Sequence, residues 1–211
     1  MLKLMRYFLV GLMVSGAVFT AGCEGLGTDN QSEAGYDSAD LLVTVEQQNA
    51  DGKWVSVPVR DHSVKLARRP FRFVFFFDQL GTMYVSASQS SKKAGFARAG
   101  YSFARLFPQS KYASSEFQNP SREALVSSSG RFENWLLGAG EMHRFDPGSV
   151  RSWKKRGYFC VRTIEQLSVD GSPEAIADFT GNQLYFVFGQ TDHRSGQRIE
   201  TKRDWLRIVF K

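Results

Sequence analysis

The segment Phe71-Arg72-Phe73-Val74-Phe75-Phe76-Phe77 constrains the fold of this chain more than any other. Read with the two-residue period of a strand, Phe71, Phe73, Phe75 and Phe77 project to one side, while Val74 and Phe76 fill much of the other. A strand that is apolar on both faces has to be covered on both. It therefore predicts the centre of a sandwich, or of a sheet backed by a helical layer. Its neighbours carry the same signal. Residues 41–46 alternate as a first strand, and Asn49-Ala50-Asp51-Gly52 supplies a turn in which Asp-Gly is a strong hairpin cue. Residues 54–59 follow, with Val55, Val57 and Val59 on one face. Pro58, which has no N–H to donate, assigns that strand to an edge or to its own end. Residues 83–87 continue the pattern after a hairpin at 78–81.

The middle of the chain differs in kind. Between about residues 88 and 152, Ser, Ala and Gly are frequent and apolar residues lose strict alternation. Phe96, Phe103 and Phe107, with a poorly placed Tyr101, suggest a weak amphipathic helix, against which Gly95 and Gly100 argue. Asn119-Pro120 reads as the cap and first turn of a short helix ending by Gly130. Strand patterning returns at residues 158–167, 184–188 and 205–210, with residues 190–198 as a polar hairpin tip and residues 173–179 as a helical turn or loop. The predicted fold is mainly β, a β-sandwich-like, antiparallel architecture with a partly helical or irregular insertion at about 88–152. Residues 41–211 would form a single globular domain.

The first forty residues are organised differently. Lys3 and Arg6 precede an apolar stretch over residues 7–19, and Thr20-Ala21-Gly22-Cys23 closes it. A basic start, a short apolar core and small residues at a cleavage point make up a secretory signal peptide. The core is too short to span a bilayer comfortably, for which ~20 apolar residues are needed. With cysteine directly after Ala-Gly, residues 1–23 resemble the signal and lipobox of bacterial lipoproteins. The resemblance implies that residues 1–22 are removed and that Cys23 is acylated, palmitate included, as the first mature residue. It further implies an outer-membrane anchor facing the periplasm, since Glu24, not Asp, follows the cysteine. Multiple acyl chains would make the anchoring stable.

Charge is unevenly spread. Residues 24–40 hold five acids and no Lys or Arg, are rich in Gly and Ser, and read as a flexible tether from the lipidated residue 23. As a coil, seventeen residues span about 20–25 Å on average. Residues 41–211 hold 25 basic and 16 acidic side chains, a net of +9. Behind a secretory signal, such a balance points away from nucleic acid and toward anionic headgroups or an acidic protein surface. Two basic clusters are candidate docking patches: Lys65, Arg68, Arg69 and Arg72 ahead of the Phe-rich strand, and Arg151, Lys154, Lys155 and Arg156 around Trp153, an aromatic suited to an interface.

Catalytic signatures are sparse. Cys160, the cysteine that remains beside Cys23, lies in a strand-like segment, where a free thiol is usually a small buried hydrophobe. Ser90–Lys93 and Ser152–Lys155 have the Ser-x-x-Lys spacing of penicillin-binding proteins, without the companion Ser-Asp-Asn and Lys-Thr-Gly elements. His62, His143 and His193 have no metal-ligand spacing. Asp192-His193 lies on the predicted hairpin tip, and residues 141–147 gather polar side chains that read as a loop with local salt bridges. No cofactor or metal is implied. The expected function is that of a non-enzymatic envelope lipoprotein binding a protein or anionic envelope partner, as a component of an envelope complex or as a periplasmic immunity or inhibitor protein. The alternative is an envelope hydrolase acting on glycan or lipid through paired carboxylates in the insertion.

Overall fold

The structure is a computed structural model that describes residues 42–77, 82–107, 122–129, 134–137, 145–153, 157–194 and 197–211. The signal segment, Cys23 and the tether lie outside the described residues, as do Lys154, Lys155, Arg156 and His143.

Strands dominate. In chain order they are β1 (Leu42–Gln48), β2 (Trp54–Val57), β3 (Ser63–Leu66), β4 (Phe71–Phe77) and β5 (Thr82–Ser88). Helices α1 (Lys92–Arg98) and α2 (Phe103–Leu106) follow, then β6 (Glu123–Ser127), β7 (Asn134–Leu137) and β8 (Arg151–Trp153). The chain continues through β9 (Gly157–Ile164), β10 (Gln166–Val169), β11 (Ser172–Ala175), β12 (Gln183–Arg194) and β13 (Gln197–Phe210). One sheet has the order β2-β1-β4-β9-β8 and the other β11-β10-β6-β5-β12-β13-β3, with β7 paired to β5. The first sheet is antiparallel throughout, while the second adds parallel pairings of β5 with β6, β6 with β10 and β3 with β13.

The two sheets meet on the Phe-rich strand. β4 is the central strand of the first sheet, and its Phe71, Phe73 and Phe75 are fully buried. They interlock with Phe186 and Phe188 on β12: Phe73 lies 4.9 Å from Phe186 and 5.2 Å from Phe188, and Phe75 lies 5.5 Å from Phe188, all near edge-to-face. Such pairs contribute about 0.5–1.5 kcal/mol each beyond the area they bury. The expectation that β4 is covered on both faces holds, for Val74 and Phe76 are buried as well.

Turn chemistry sets the registers. Asn49 accepts the N–H groups of Asp51 and Lys53 on its side-chain oxygen, and Gly52 takes φ 76° to close the β1–β2 turn. Arg60 and Ser63 exchange backbone hydrogen bonds around Asp61 and His62, both at positive φ, as a type I′ turn requires. Asp170-Gly171, at φ 48° and 89°, makes the equivalent turn between β10 and β11. Pro173 sits within β11, the edge strand of the second sheet, where a missing N–H is tolerated. Residues 173–175 are thus strand rather than a helical turn.

The insertion is partly helical, as its composition predicts, but it also contributes strands. Gly100, at φ 74°, follows the Ala99 cap of α1 and separates it from α2. The short helix expected from Asn119 is not formed at its described end. Residues 123–127 are strand β6, because Ala124 and Val126 alternate into the core while the strand pairs with β5 and β10. α1 and α2 pack on the outer face of the second sheet, burying Ala94, Ala97, Leu106 and Phe107 with Tyr84 and Val187.

Lys93 is buried in that layer, its Nζ 5.0 Å from the Phe107 ring centroid. Burial pushes its pKa down from 10.5 to about 6. The unfolded chain therefore binds one more proton than the folded chain between those values, and stability rises with pH across that window at up to ~1.4 kcal/mol per pH unit. Urea unfolding at pH 7, 8 and 9 should show the wild-type chain gaining stability relative to Lys93→Met. Parallel pH profiles for the two proteins would contradict a neutral buried lysine.

Candidate functional site

The outer face of the first sheet carries an open groove of about 610 Å³, within the ~300–1,000 Å³ common for ligand sites. Its floor follows from register. Glu46 on β1, Arg72 on β4 and Thr163 on β9 lie in one row across the sheet, all facing away from the phenylalanine core. Trp54 lies opposite Gln48 at one edge, and Phe159 lies opposite Arg151 near the other. Gln48, Trp54, Arg72, Thr163, Val161, Phe159 and Arg151 all line the groove, together with Gly52 and Lys53 from the β1–β2 turn.

Arg72 is held at the centre. Its Nε and Nη2 donate to the same Glu46 carboxylate oxygen at 2.6 and 2.5 Å, and its guanidinium lies 4.5 Å from the Trp54 ring. The Glu46 side chain is only 2 % exposed, so the pair is largely shielded from water. The arrangement fixes the guanidinium plane of a residue that lines the groove.

One wall is a turn that stands in for a strand. Asp146-Pro147-Gly148-Ser149 closes with Ser149 N–H donating to the Asp146 carbonyl, with Gly148 at φ 71°. Proline at the second position and a left-handed glycine at the third are the type II pattern. Asp146 N–H donates to the Val161 carbonyl, and Ser149 Oγ accepts from Val161 N–H at 3.1 Å. The Asp146 carboxylate accepts the N–H and the hydroxyl of Thr163. These contacts satisfy the edge of β9 beyond the end of β8. Arg122 completes the wall, 2.5 Å from Glu165 and 3.9 Å from Asp146, and those two carboxylates raise its pKa, the Glu165 hydrogen bond most.

The two basic clusters fare differently from their sequence grouping. Lys65 lies on β3 between the buried Val64 and Leu66 and so points out of the second sheet, away from the groove. Arg68 is spent on the fold, donating to the Phe179 and Gly181 carbonyls beside the Phe210 ring. Arg69 is exposed, and its carbonyl accepts from the buried Gln47 side chain at 3.2 Å. Arg72 alone of that cluster reaches the groove, where it meets Arg151 of the other. Trp153 pairs through its backbone with Gly157, its side chain lying outside the description. Residues 141–147 contribute Asp146 and Pro147, with 141–144 outside the described residues.

The remaining chemical candidates are placed as well. Cys160 is buried opposite Phe75, and burial pushes its thiol up to about 12. Ser90 accepts the Lys92 N–H on its hydroxyl at the start of α1. Ser152 is exposed on β8. His62 stacks on Trp205 at 4.6 Å, with Nδ1 3.1 Å from Asp204 and 3.0 Å from the Trp205 carbonyl. His193 lies in β12, its side chain undescribed. Among the described residues no group of His, Cys, Asp and Glu could hold a metal ion.

Sequence reasoning by local clusters misses Trp54, Glu46, Arg122 and Glu165. The Glu46–Arg72 pair has a signal, since each is the one charged residue on the outward face of its strand. Arg122 comes from the insertion and has none.

Removing Arg72 leaves Glu46 buried and uncompensated. Arg72→Ala should lower unfolding stability in urea by about 3–5 kcal/mol, and the double variant Glu46→Gln/Arg72→Met should recover most of that loss. A single-variant loss under about 1 kcal/mol would show that the pair does not hold the groove floor.

Compared with known proteins, the chain matches no family model, no curated protein and no solved structure.

Proposed function

We propose that this chain is a non-enzymatic, lipid-anchored binding protein of a bacterial envelope. Cys23 carries the anchor, residues 24–40 are the leash, and the sandwich presents its groove to an anionic envelope partner. One observation carries the binding assignment: Lys53, Arg72, Arg122 and Arg151 converge on a single groove beside Trp54, from four separate parts of the chain. Four cations against the three carboxylates of Glu46, Asp146 and Glu165 leave the site with a positive balance, which attracts and orients an anionic partner.

Binding is favoured over hydrolysis by how the groove carboxylates are used. Asp146 accepts two hydrogen bonds from Thr163 and faces Arg122, and Glu165 is paired with the same guanidinium. Both carboxylates are thus engaged in holding the groove wall, whereas a glycosidase pair has to flank the scissile bond. Among the described residues no helix is long and apolar enough to cross a membrane; the anchor proposed at Cys23 rests on the signal and lipobox resemblance of residues 1–23.

Two measurements test the proposal. Cys23→Ser should abolish acyl labelling and move the chain out of the membrane fraction; unchanged fractionation would overturn the anchor. The full chain should bind envelope extract in a manner that weakens with rising salt and with Arg151→Glu. Turnover of a glycan or lipid substrate without stable binding would instead establish the hydrolase.

A further inference from the structure

We infer that the groove is a subsite for an acidic oligosaccharide, a reading that rests on the binding function proposed above and specifies its ligand. Three properties of the lining point there. Donors and acceptors are interleaved: Arg72 and Arg151 donate, Asp146 and Glu165 accept, and Gln48 does both. A hydroxyl group both donates and accepts, so a polyhydroxylated ligand uses all of these, whereas an ionised phosphate offers mainly acceptors and leaves the two carboxylates without a donor. The second property is aromatic and apolar surface. Trp54 and Phe159, both half-buried, lie toward opposite ends of the floor, and Val161 lies between them. Such surface packs the C–H faces of sugar rings while the rims bond their hydroxyls.

The third property is shape. The strand register separates Gln48 from Leu42 by six residues along β1, and Trp54 from Phe159 by three strand spacings. At about 3.3 Å per residue and 4.8 Å per strand, the diagonal is roughly 25 Å, the length of a chain of rings rather than of one. The floor is the face of a sheet whose inner strands are already paired, so an extended peptide lying across it cannot add as a further strand. The positive balance of the rim selects glycans that carry carboxylates.

The inference is tested with the full-length chain, in detergent, on an array of carboxylated oligosaccharides two to six rings long beside their carboxyl-reduced counterparts. Carboxylated chains of four rings or more should be retained best. Trp54→Ala should weaken retention about tenfold, Arg151→Gln should erase the preference for the carboxylated form, and Lys65→Gln, on the opposite sheet, should change neither. Equal retention of reduced and carboxylated glycans would overturn the acidic assignment. If no glycan is retained while phosphatidylglycerol vesicles or an envelope protein bind, the saccharide inference falls and the binding function stands. If nothing anionic binds at all, both fall together.

Discussion

The interlock of Phe71, Phe73 and Phe75 with Phe186 and Phe188 is the contact on which the rest of this structure depends. It joins the central strand of one sheet to a central strand of the other, and Cys160, buried in the same interface, contributes as a packing group. Among the described residues the cysteine is free, so no covalent cross-link is seen to supplement the packing. A fully buried aromatic side chain contributes about 1.5–3 kcal/mol by area alone, and five of them dominate the interface. Everything outward of the first sheet is positioned by this inward face.

That dependence is geometric. Because successive side chains alternate, burying the odd-numbered phenylalanines of β4 forces Arg72 onto the opposite surface. Pairing β1 beside it then places Glu46 against Arg72, and pairing β9 on the other side adds Thr163. Two of these outward groups are nearly buried themselves, which lets one ion pair and one aromatic ring fix a guanidinium in place. The groove is therefore a consequence of register. A one-residue slip of β4 would exchange Arg72 for a phenylalanine and abolish both the core and the site.

Much of the fold was legible because the physical signals were local. The Phe-rich segment is a strand over the residues its alternation indicates, Pro58 follows an edge strand, and Asn49 with Gly52 makes the turn. The parallel strand β6 was hidden because its five residues follow an Asn-Pro pair that reads as a helix start, and only partners distant in sequence decide otherwise. β11 was hidden by Pro173, which is compatible with a strand solely because that strand is an edge. The site was half legible. Arg72 and Arg151 stand out as members of basic clusters, but proximity in sequence wrongly groups Lys65 and Arg68 with Arg72. Alternation sends Lys65 to the other sheet, and two backbone carbonyls capture Arg68. Arg122 and Glu165 meet at the junction where the chain passes from β9 to β10, a tertiary fact without a local pattern.

The interlock across the sandwich is open to a direct test by a double-mutant cycle between Phe73→Leu and Phe186→Leu, read by urea unfolding. Edge-to-face contact at 4.9 Å predicts a coupling of about 1 kcal/mol between the two positions. Losses that add within about 0.3 kcal/mol would mean that these rings do not hold the sheets together.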